Sequence, residues 1–401
     1  MIGNILTKFK RMNLIKTAYK GVFKLVGMLP ADKNMIVFES FLGKQYSCNP
    51  RAIYEYLQKN NPGYKMYWSI DPRFRSAFEG KEVETVDRFS LKWLFLMARA
   101  RYWVSNSRLP LWIPKPSHTV YLQTWHGTPL KRLAADMEQV LMPGTDTEQY
   151  KKNFLAESSR WDYLISPNAY SSHIFRRAFD FNKEMIESGY PRNDFLHNDN
   201  TAEVIGGIKD KLALPPGKKV ILYAPTWRDN EFHEKGKYKF NLKLDLDYLR
   251  DQLGSEYIVL LRMHYLIAEN LDLSGYRGFA YDVSAYEDIR ELYLVSDVLI
   301  TDYSSVFFDY GNLKRPMIFF VYDLESYRDN LRGFYFDFEN EAPGPLVKTT
   351  EEVVEQLKRL DFAGSALPPN FGEFYQRFCY LEDGEASRRV VEKVFKQQAS
   401  Q

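Results

Sequence analysis

In VYLQTWHGTPLKR, Val120 to Arg132, an apolar run of β type stops on Trp125-His126-Gly127-Thr128, and a basic, helix-like segment follows. A histidine there sets an imidazole, with an ordinary pKa of about 6.5, at the carboxyl end of a strand, where open α/β sheets place their chemistry. Such a ring can take a proton from an attacking hydroxyl near neutral pH. Gly127 lets a ligand approach the backbone closely, and Thr128 adds a hydroxyl.

Other apolar runs end in reactive types: Ser166-Pro167-Asn168, Thr226-Trp227-Arg228, Arg262-Met263-His264, Asp282-Val283-Ser284 and Thr301-Asp302-Tyr303-Ser304-Ser305. Equivalent strand ends can be gathered by one cleft. Asp302, Ser304 and Ser305 occupy a turn before a helix expected near Val306; their hydroxyls and the first N–H groups suit phosphate oxygens, and Asp and Ser are equally the preferred caps of any helix. Arg228 and Arg262 are of the type that grips a diphosphate, or else forms surface ion pairs. His264 closes the apolar strand IVLLRMH, a position open to a structural or a catalytic role. His118, His173, His197 and His233 have no such neighbours, and Glu287, Asp288 and Glu291 read as solvated helical charges, one of which could hold a ribose hydroxyl.

The chain lacks a Walker loop, a G-x-G-x-x-G after a strand, a G-x-S-x-G elbow and an H-E-x-x-H, which argues against P-loop ATPases, dinucleotide dehydrogenases, α/β-hydrolases and zincins. With 45% hydrophobic and 26% charged residues the protein folds without metal or disulfide support. Its two cysteines, Cys48 and Cys379, fit a reducing compartment and hence the cytoplasmic side. Net charge is +2, yet Met1 to Leu29 holds six basic residues and no acidic one among Leu14, Ile15, Val22, Phe23, Leu25 and other apolar side chains. That composition suits an amphipathic segment lying on an anionic membrane surface, and it is too interrupted by charge to span one. With no basic stripe elsewhere, nucleic acid is not an expected partner.

Runs rich in β-branched and aromatic residues alternate with helical patterns: MIVFES, KMYWSI, VETVD, RYWVSN, TVYLQTWHG and DYLISPN, then KKVILYAPTWR, YIVLLRMH, FAYDVS, DVLITDYSS and RPMIFFVYD. This is the signature of parallel sheets covered on both faces, and it occurs twice. The expected organisation is a basic amphipathic segment over 1–30, a Rossmann-like domain over 31–205, a second Rossmann-like domain over 206–375, and a terminal helix over 376–401 returning to the first domain. Two such α/β domains facing each other leave a cleft between their strand ends.

QTWHGTPLKRL, YLISPNAYSSHIFRRAF, ESGYPRNDFL, ILYAPTWRDN, LLRMHYL and ELYLVSDVLITDYSSVFFDYGNLKRPMIFFVYDLESYRD, followed by DGEASRRVV, resemble the CDP-glycerol glycerophosphotransferase family of teichoic acid synthesis. The resemblance runs from about Met35 to Val394. It implies a GT-B-like fold at the cytoplasmic membrane face and transfer of glycerol phosphate from CDP-glycerol to an acceptor hydroxyl, with release of CMP. It makes the domain over 31–205 the acceptor domain and the domain over 206–375 the donor domain. It maps His126 and His264 onto the family's two essential histidines, and Arg228 and the Ser304-Ser305 turn onto the donor phosphate region. Thr226, Arg262, Asp302 and Asn168 stand beside them as expected substrate contacts. The expected acceptor is an undecaprenyl-diphosphate-linked disaccharide. The short stretch ahead of the first strand points to a priming or short-extension enzyme rather than a polymerase. No cofactor is expected, and a divalent cation requirement is left open. A CDP-ribitol transferase, a GT-B sugar transferase and a non-catalytic membrane adaptor are the alternatives.

Overall fold

The computed structural model describes residues 2–140, 145–226, 232–234, 237–238, 242–263, 272–326, 333–362 and 367–396, with backbone alone described for 2–12, 232–234, 237–238 and 396. His264 and Arg228 therefore lie outside the described residues. Seven parallel strands build the first sheet: β1 (Asp32–Glu39), β2 (Lys65–Ile70), β3 (Glu84–Asp87), β4 (Ala100–Ser105), β5 (Val120–Gln123), β6 (Tyr163–Ser166) and β7 (Glu184–Glu187), in the order β3-β2-β1-β4-β5-β6-β7. The second domain begins with β8 (Lys219–Ala224). A small hairpin, β9 (Phe232–Glu234) with β10 (Lys237–Tyr238), precedes β11 (Tyr257–Leu261), β12 (Ala280–Asp282), β13 (Val298–Thr301), β14 (Met317–Phe320) and β15 (Leu346–Val347). Its sheet is ordered β12-β11-β8-β13-β14-β15, parallel throughout. In both sheets the chain order reverses beside the first strand, so each has a switch point where adjacent loops part and a ligand can enter. The molecule is thus α/β, two doubly wound domains in a GT-B-like arrangement.

Most strands fall where β-branched runs predict them. The edge strands β7 and β15 do not announce themselves: β7 reads Glu-Met-Ile-Glu with one buried position, and β15 has two residues. Edge strands are open to water on one side and need no apolar run. At the site the difference matters more. The run TVYLQTWHG suggests a strand to Gly127, but β5 ends at Gln123 because Trp125 takes φ 50°, a left-handed conformation that breaks the ladder.

Two helices cross expected boundaries. Helix Ala202–Lys211 straddles position 205 and lays Ile208 into the second-domain core with Val220 and Leu222, so the division falls ahead of that helix. Helix Phe371–Phe378 straddles position 375 and packs Phe374 on Phe307 and Phe308 of the second domain. The chain then returns to the first domain. Val390, Val391, Val394 and Phe395 join Ile36, Phe38 and Leu57 in one buried cluster, with the Phe395 ring 4.7 Å from that of Tyr102.

The basic N-terminal segment forms one helix, α1 (Ile2–Val26). Its C-terminal turns dock through Phe23, buried against Trp93 and Trp103, and through Tyr19, whose ring meets Trp112 and whose hydroxyl donates to Ser90 O.

Candidate active site at the domain interface

His126 follows β5 on the loop facing the second domain. Its Nδ1 lies 2.8 Å from the Asn106 carbonyl oxygen. A carbonyl only accepts, so Nδ1 carries the proton and Nε2 of the neutral ring keeps its lone pair. Burial pushes the ring's pKa down to about 4; the Asn106 bond acts against that shift and the nearby Arg192 charge adds to it. The imidazole is therefore neutral at physiological pH, the form a general base requires.

The loop after β4 that orients His126 is itself held firmly. Asn106 Oδ1 accepts from Phe41 N, Asn106 Nδ2 donates to Ser40 Oγ, and Ser107 O accepts from Gln123 Nε2. The Trp125 ring stacks on the imidazole at 4.9 Å and the Phe41 ring meets it edge-on at 5.4 Å. Phe41, Leu42, Cys48 and Trp125, all at positive φ, surround this histidine. Strained backbone of this kind persists where surrounding contacts over-determine it, and such positions cluster at functional sites.

The histidine loop is fastened to the second domain by Arg192. Its Nη1 donates to His126 O at 2.7 Å, and its Nη2 meets both carboxylate oxygens of Asp309 at 2.9 and 2.7 Å. Both partners are buried, and the Asp309 carboxylate and burial act in opposite directions on the guanidinium, which stays firmly charged. Asp309 lies in the short helix Val306–Tyr310 that follows the Ser304-Ser305 turn. A parallel link joins Arg51 of α2 (Cys48–Asn60) to Asp288 at 2.9 Å, and Arg290 closes on the same carboxylate.

Three cavities meet at His126. One of about 650 Å³ lies entirely in the first domain; one of about 230 Å³ runs between the domains past Arg192, Arg262, Asp288 and Ser305; one of about 140 Å³ takes in Gly127, Thr128 and Ser305. Gly127 and Ser305 face each other so closely that a methyl on Gly127 would stand 3.2 Å from Ser305 Oγ. The Ser305 side chain makes no capping bond, so its hydroxyl is not spent on the helix it precedes.

The remaining expected site residues divide. Thr128 is buried at the cleft and Ser305 is half-buried there, while Ser304, also half-buried, lines none of the three cavities. Asp302 is buried beneath them and accepts from the Thr226 backbone N–H at 2.7 Å, tying two second-domain strand ends together. Arg262 lines the inter-domain cavity, with Nη1 donating to the carbonyls of Val283, Ser284 and Tyr286, so that nitrogen builds the loop wall. Asn168 sits elsewhere: it caps the helix Ala169–Ala178 through Ser171 N, donates to Phe378 O, and lines none of the three cavities. Its expected contact with substrate gives way to capping. Asn106, Arg192 and Asp309 are the residues the sequence reading passed over. Asn106 carried a signal, a polar residue ending RYWVSN, whereas Arg192 lies in GYPRND, which reads as a linker.

The pH dependence follows from the histidine. In the free protein kcat/KM is expected to stay level from pH 8 down to about 5 and to fall only as pH nears about 4, which initial rates at low donor concentration would check. For stability, the unfolded ring titrates near about 6.5 and binds more protons than the folded one between the two values, so His126 makes the fold lose stability as pH falls through that window.

Residues 22–396 match the family model described as CDP-Glycerol:Poly(glycerophosphate) glycerophosphotransferase. The chain is 67% identical over 386 residues to the teichoic acid poly(glycerol phosphate) polymerase of Bacillus subtilis (strain 168), covering 96% of this chain and 52% of that protein, about half its length. It is 59% identical to the corresponding polymerase of Bacillus spizizenii, over 98% of this chain and 100% of the relative, and 48% identical to the teichoic acid glycerol-phosphate transferase of Staphylococcus aureus over 99% and 100%. A structure of the wall teichoic acid polymerase TagF soaked with CDPG superposes with a TM-score of 0.89 at 47% identity, covering 99% of this chain and 98% of the other. Motif order, the two doubly wound domains and these matches agree: the chain belongs to the CDP-glycerol:poly(glycerophosphate) glycerophosphotransferase family.

Proposed function

We propose that this protein transfers glycerol phosphate from CDP-glycerol to a terminal hydroxyl of a lipid-linked teichoic acid acceptor, releasing CMP, and repeats the step to lengthen a poly(glycerol phosphate) chain. The observation that carries this reading is the free Nε2 lone pair of His126, a residue that lines both the first-domain cavity and the inter-domain cleft. The acceptor hydroxyl approaches from the first domain and Nε2 takes its proton. The oxygen attacks the phosphorus bearing glycerol, forming the new O–P bond as the bond to the CMP oxygen breaks. Such transfers depend on positioning and charge neutralisation more than on covalent help. Ser305 lines the donor side, and Ser304, Thr226, Arg228, Arg262 and His264 are assigned to the developing phosphate charge. The donor is tested by CMP release from CDP-glycerol and CDP-ribitol in parallel. Relatives named for glycerol phosphate are 48–67% identical and those named for ribitol phosphate 26–32%, which favours glycerol. Faster release from CDP-ribitol would reverse the donor assignment.

The priming expectation is corrected. It rested on the short stretch before β1, and the Bacillus spizizenii protein, matched over its whole length, is named a polymerase.

Peripheral attachment at the cytoplasmic membrane face belongs to the same proposal. Among the described residues no helix is long and apolar enough to cross a membrane. At about 100° per residue, α1 turns Tyr19, Phe23 and Val26 inward. Leu14, Ile15, Val22 and Leu25 fall on one side of that docked face, Leu14 at 70% and Leu25 at 67% exposed, and Lys16, Lys20 and Lys24 fall on its other side. Exposed apolar side chains and lysines on the same helix suit an anionic interface. Sedimentation with vesicles of anionic lipid is expected to carry the protein down, neutral vesicles to carry less, and the pair Leu14→Glu and Leu25→Glu to abolish binding without altering the fold. Equal sedimentation of the variant would remove α1 from the membrane contact.

A further inference from the structure

The 650 Å³ cavity is in the range of small-molecule sites and is lined only by first-domain residues. Two arginines reach it. Arg108 is half-buried, with its guanidinium carbon 4.5 Å from the Phe154 ring centre and 5.3 Å from that of Tyr150. It makes no hydrogen bond or ion pair among the described residues. Stacking fixes the guanidinium plane while leaving its N–H fork unspent, an arrangement suited to a planar grip on phosphate. Arg88 is held through Nε to Glu39 Oε2 at 3.0 Å, and its buried Nη2 has no acceptor. The one carboxylate in the lining, Glu157, is already engaged: Oε1 accepts from Leu109 N and the Tyr121 hydroxyl, and Oε2 pairs with Arg160 at 2.9 Å. The cavity therefore presents unspent cationic donors and no free anionic group among the described residues.

Its position relative to His126 is set by the backbone. The carbonyl that orients the imidazole belongs to Asn106, and Arg108 is two residues further along, no more than about 7 Å in Cα separation. Because Ser107 O is pinned by Gln123 and Leu109 N by Glu157, the segment that aims the base also sets the arginine.

We propose that this cavity is an acceptor subsite for a phosphate ester and that Arg108, assisted by Arg88, recognises the phosphate next to the hydroxyl that His126 deprotonates. In a glycerol phosphate chain that phosphate is separated from the terminal hydroxyl by one three-carbon unit. The subsite thereby favours an acceptor already carrying glycerol phosphate over a bare sugar hydroxyl, which makes each transfer prepare the next. This rests on the transferase reading above and adds the acceptor's chemical class.

Two lipid-linked disaccharide acceptors, one bearing a single glycerol phosphate and one bearing none, both retain the lipid diphosphate and so separate the two sources of phosphate. For Arg108→Gln the KM of the acceptor bearing glycerol phosphate should rise about tenfold to a hundredfold. The KM of the bare acceptor, the KM of CDP-glycerol and the melting temperature should hold, and Arg108→Lys should recover part of the loss. An equal rise for both acceptors, or none for either, overturns the subsite. Titration with glycerophosphoglycerol, a soluble phosphodiester, gives a readout independent of turnover: binding by the wild-type protein that Arg108→Gln abolishes supports the proposal, and equal binding by both overturns it. Absence of CMP release from the wild-type protein would overturn the transferase reading alone, and the titration would still decide the subsite.

Discussion

His126→Ala is expected to lower the transfer rate by about 100-fold to 10,000-fold, the range for loss of a positioned general base, while CDP-glycerol binds almost as before. The division follows from geometry. His126 lines all three cavities, and its ring is held by the first domain, through Asn106 O, Phe41 and Trp125. Removing the ring also strands the Asn106 carbonyl, at a cost of about 1–3 kcal/mol if water does not reach it. A small fall in melting temperature is therefore part of the expectation. Rapid-quench measurement of CMP formation beside equilibrium binding of CDP-glycerol separates the two effects. Normal turnover in the variant would remove His126 from the role of base.

Asp309→Ala, in the wall of the inter-domain cavity, should damage the fold strongly. It leaves the Arg192 guanidinium buried without its carboxylate, a loss of about 3–5 kcal/mol when one partner of a buried ion pair is removed. Replacing both partners with apolar side chains of similar volume, as in Arg192→Met with Asp309→Leu, should restore much of that stability, since neither charge is then stranded. Transfer should stay depressed in the double variant, because His126 O loses its donor and the histidine loop is no longer tied to the helix after Ser305. Denaturant melts and kcat on the two variants measure this. Recovery of both stability and rate in the double variant would show that the pair serves only the fold.

Much of this architecture is legible from the chain alone. The β-branched runs fix both sheets because buried parallel strands need continuous apolar segments, and the polar clusters that end them mark the cleft. His126, Gly127, Thr128 and Ser305 could be read from their types at strand ends. Arg192 and Asp309 could not: one lies in a turn-rich connection and the other inside a helix, and only folding brings their charges together across 117 positions. Asn106 stands out as a polar strand end, but its bond to His126 is made by the backbone carbonyl, which no residue type reveals. Asn168 shows the reverse failure, since a polar residue after a strand is also what a helix start requires, and here the cap prevails.

The most direct test uses CDP-glycerol labelled on the phosphate attached to glycerol, incubated with a lipid-linked acceptor and followed by product mass and CMP release. The account predicts a ladder of products, each step heavier by one labelled glycerol phosphate, with one CMP released per step. Label retained on the nucleotide, or products that gain glycerol without its phosphate, would contradict attack at phosphorus and with it the role given to His126.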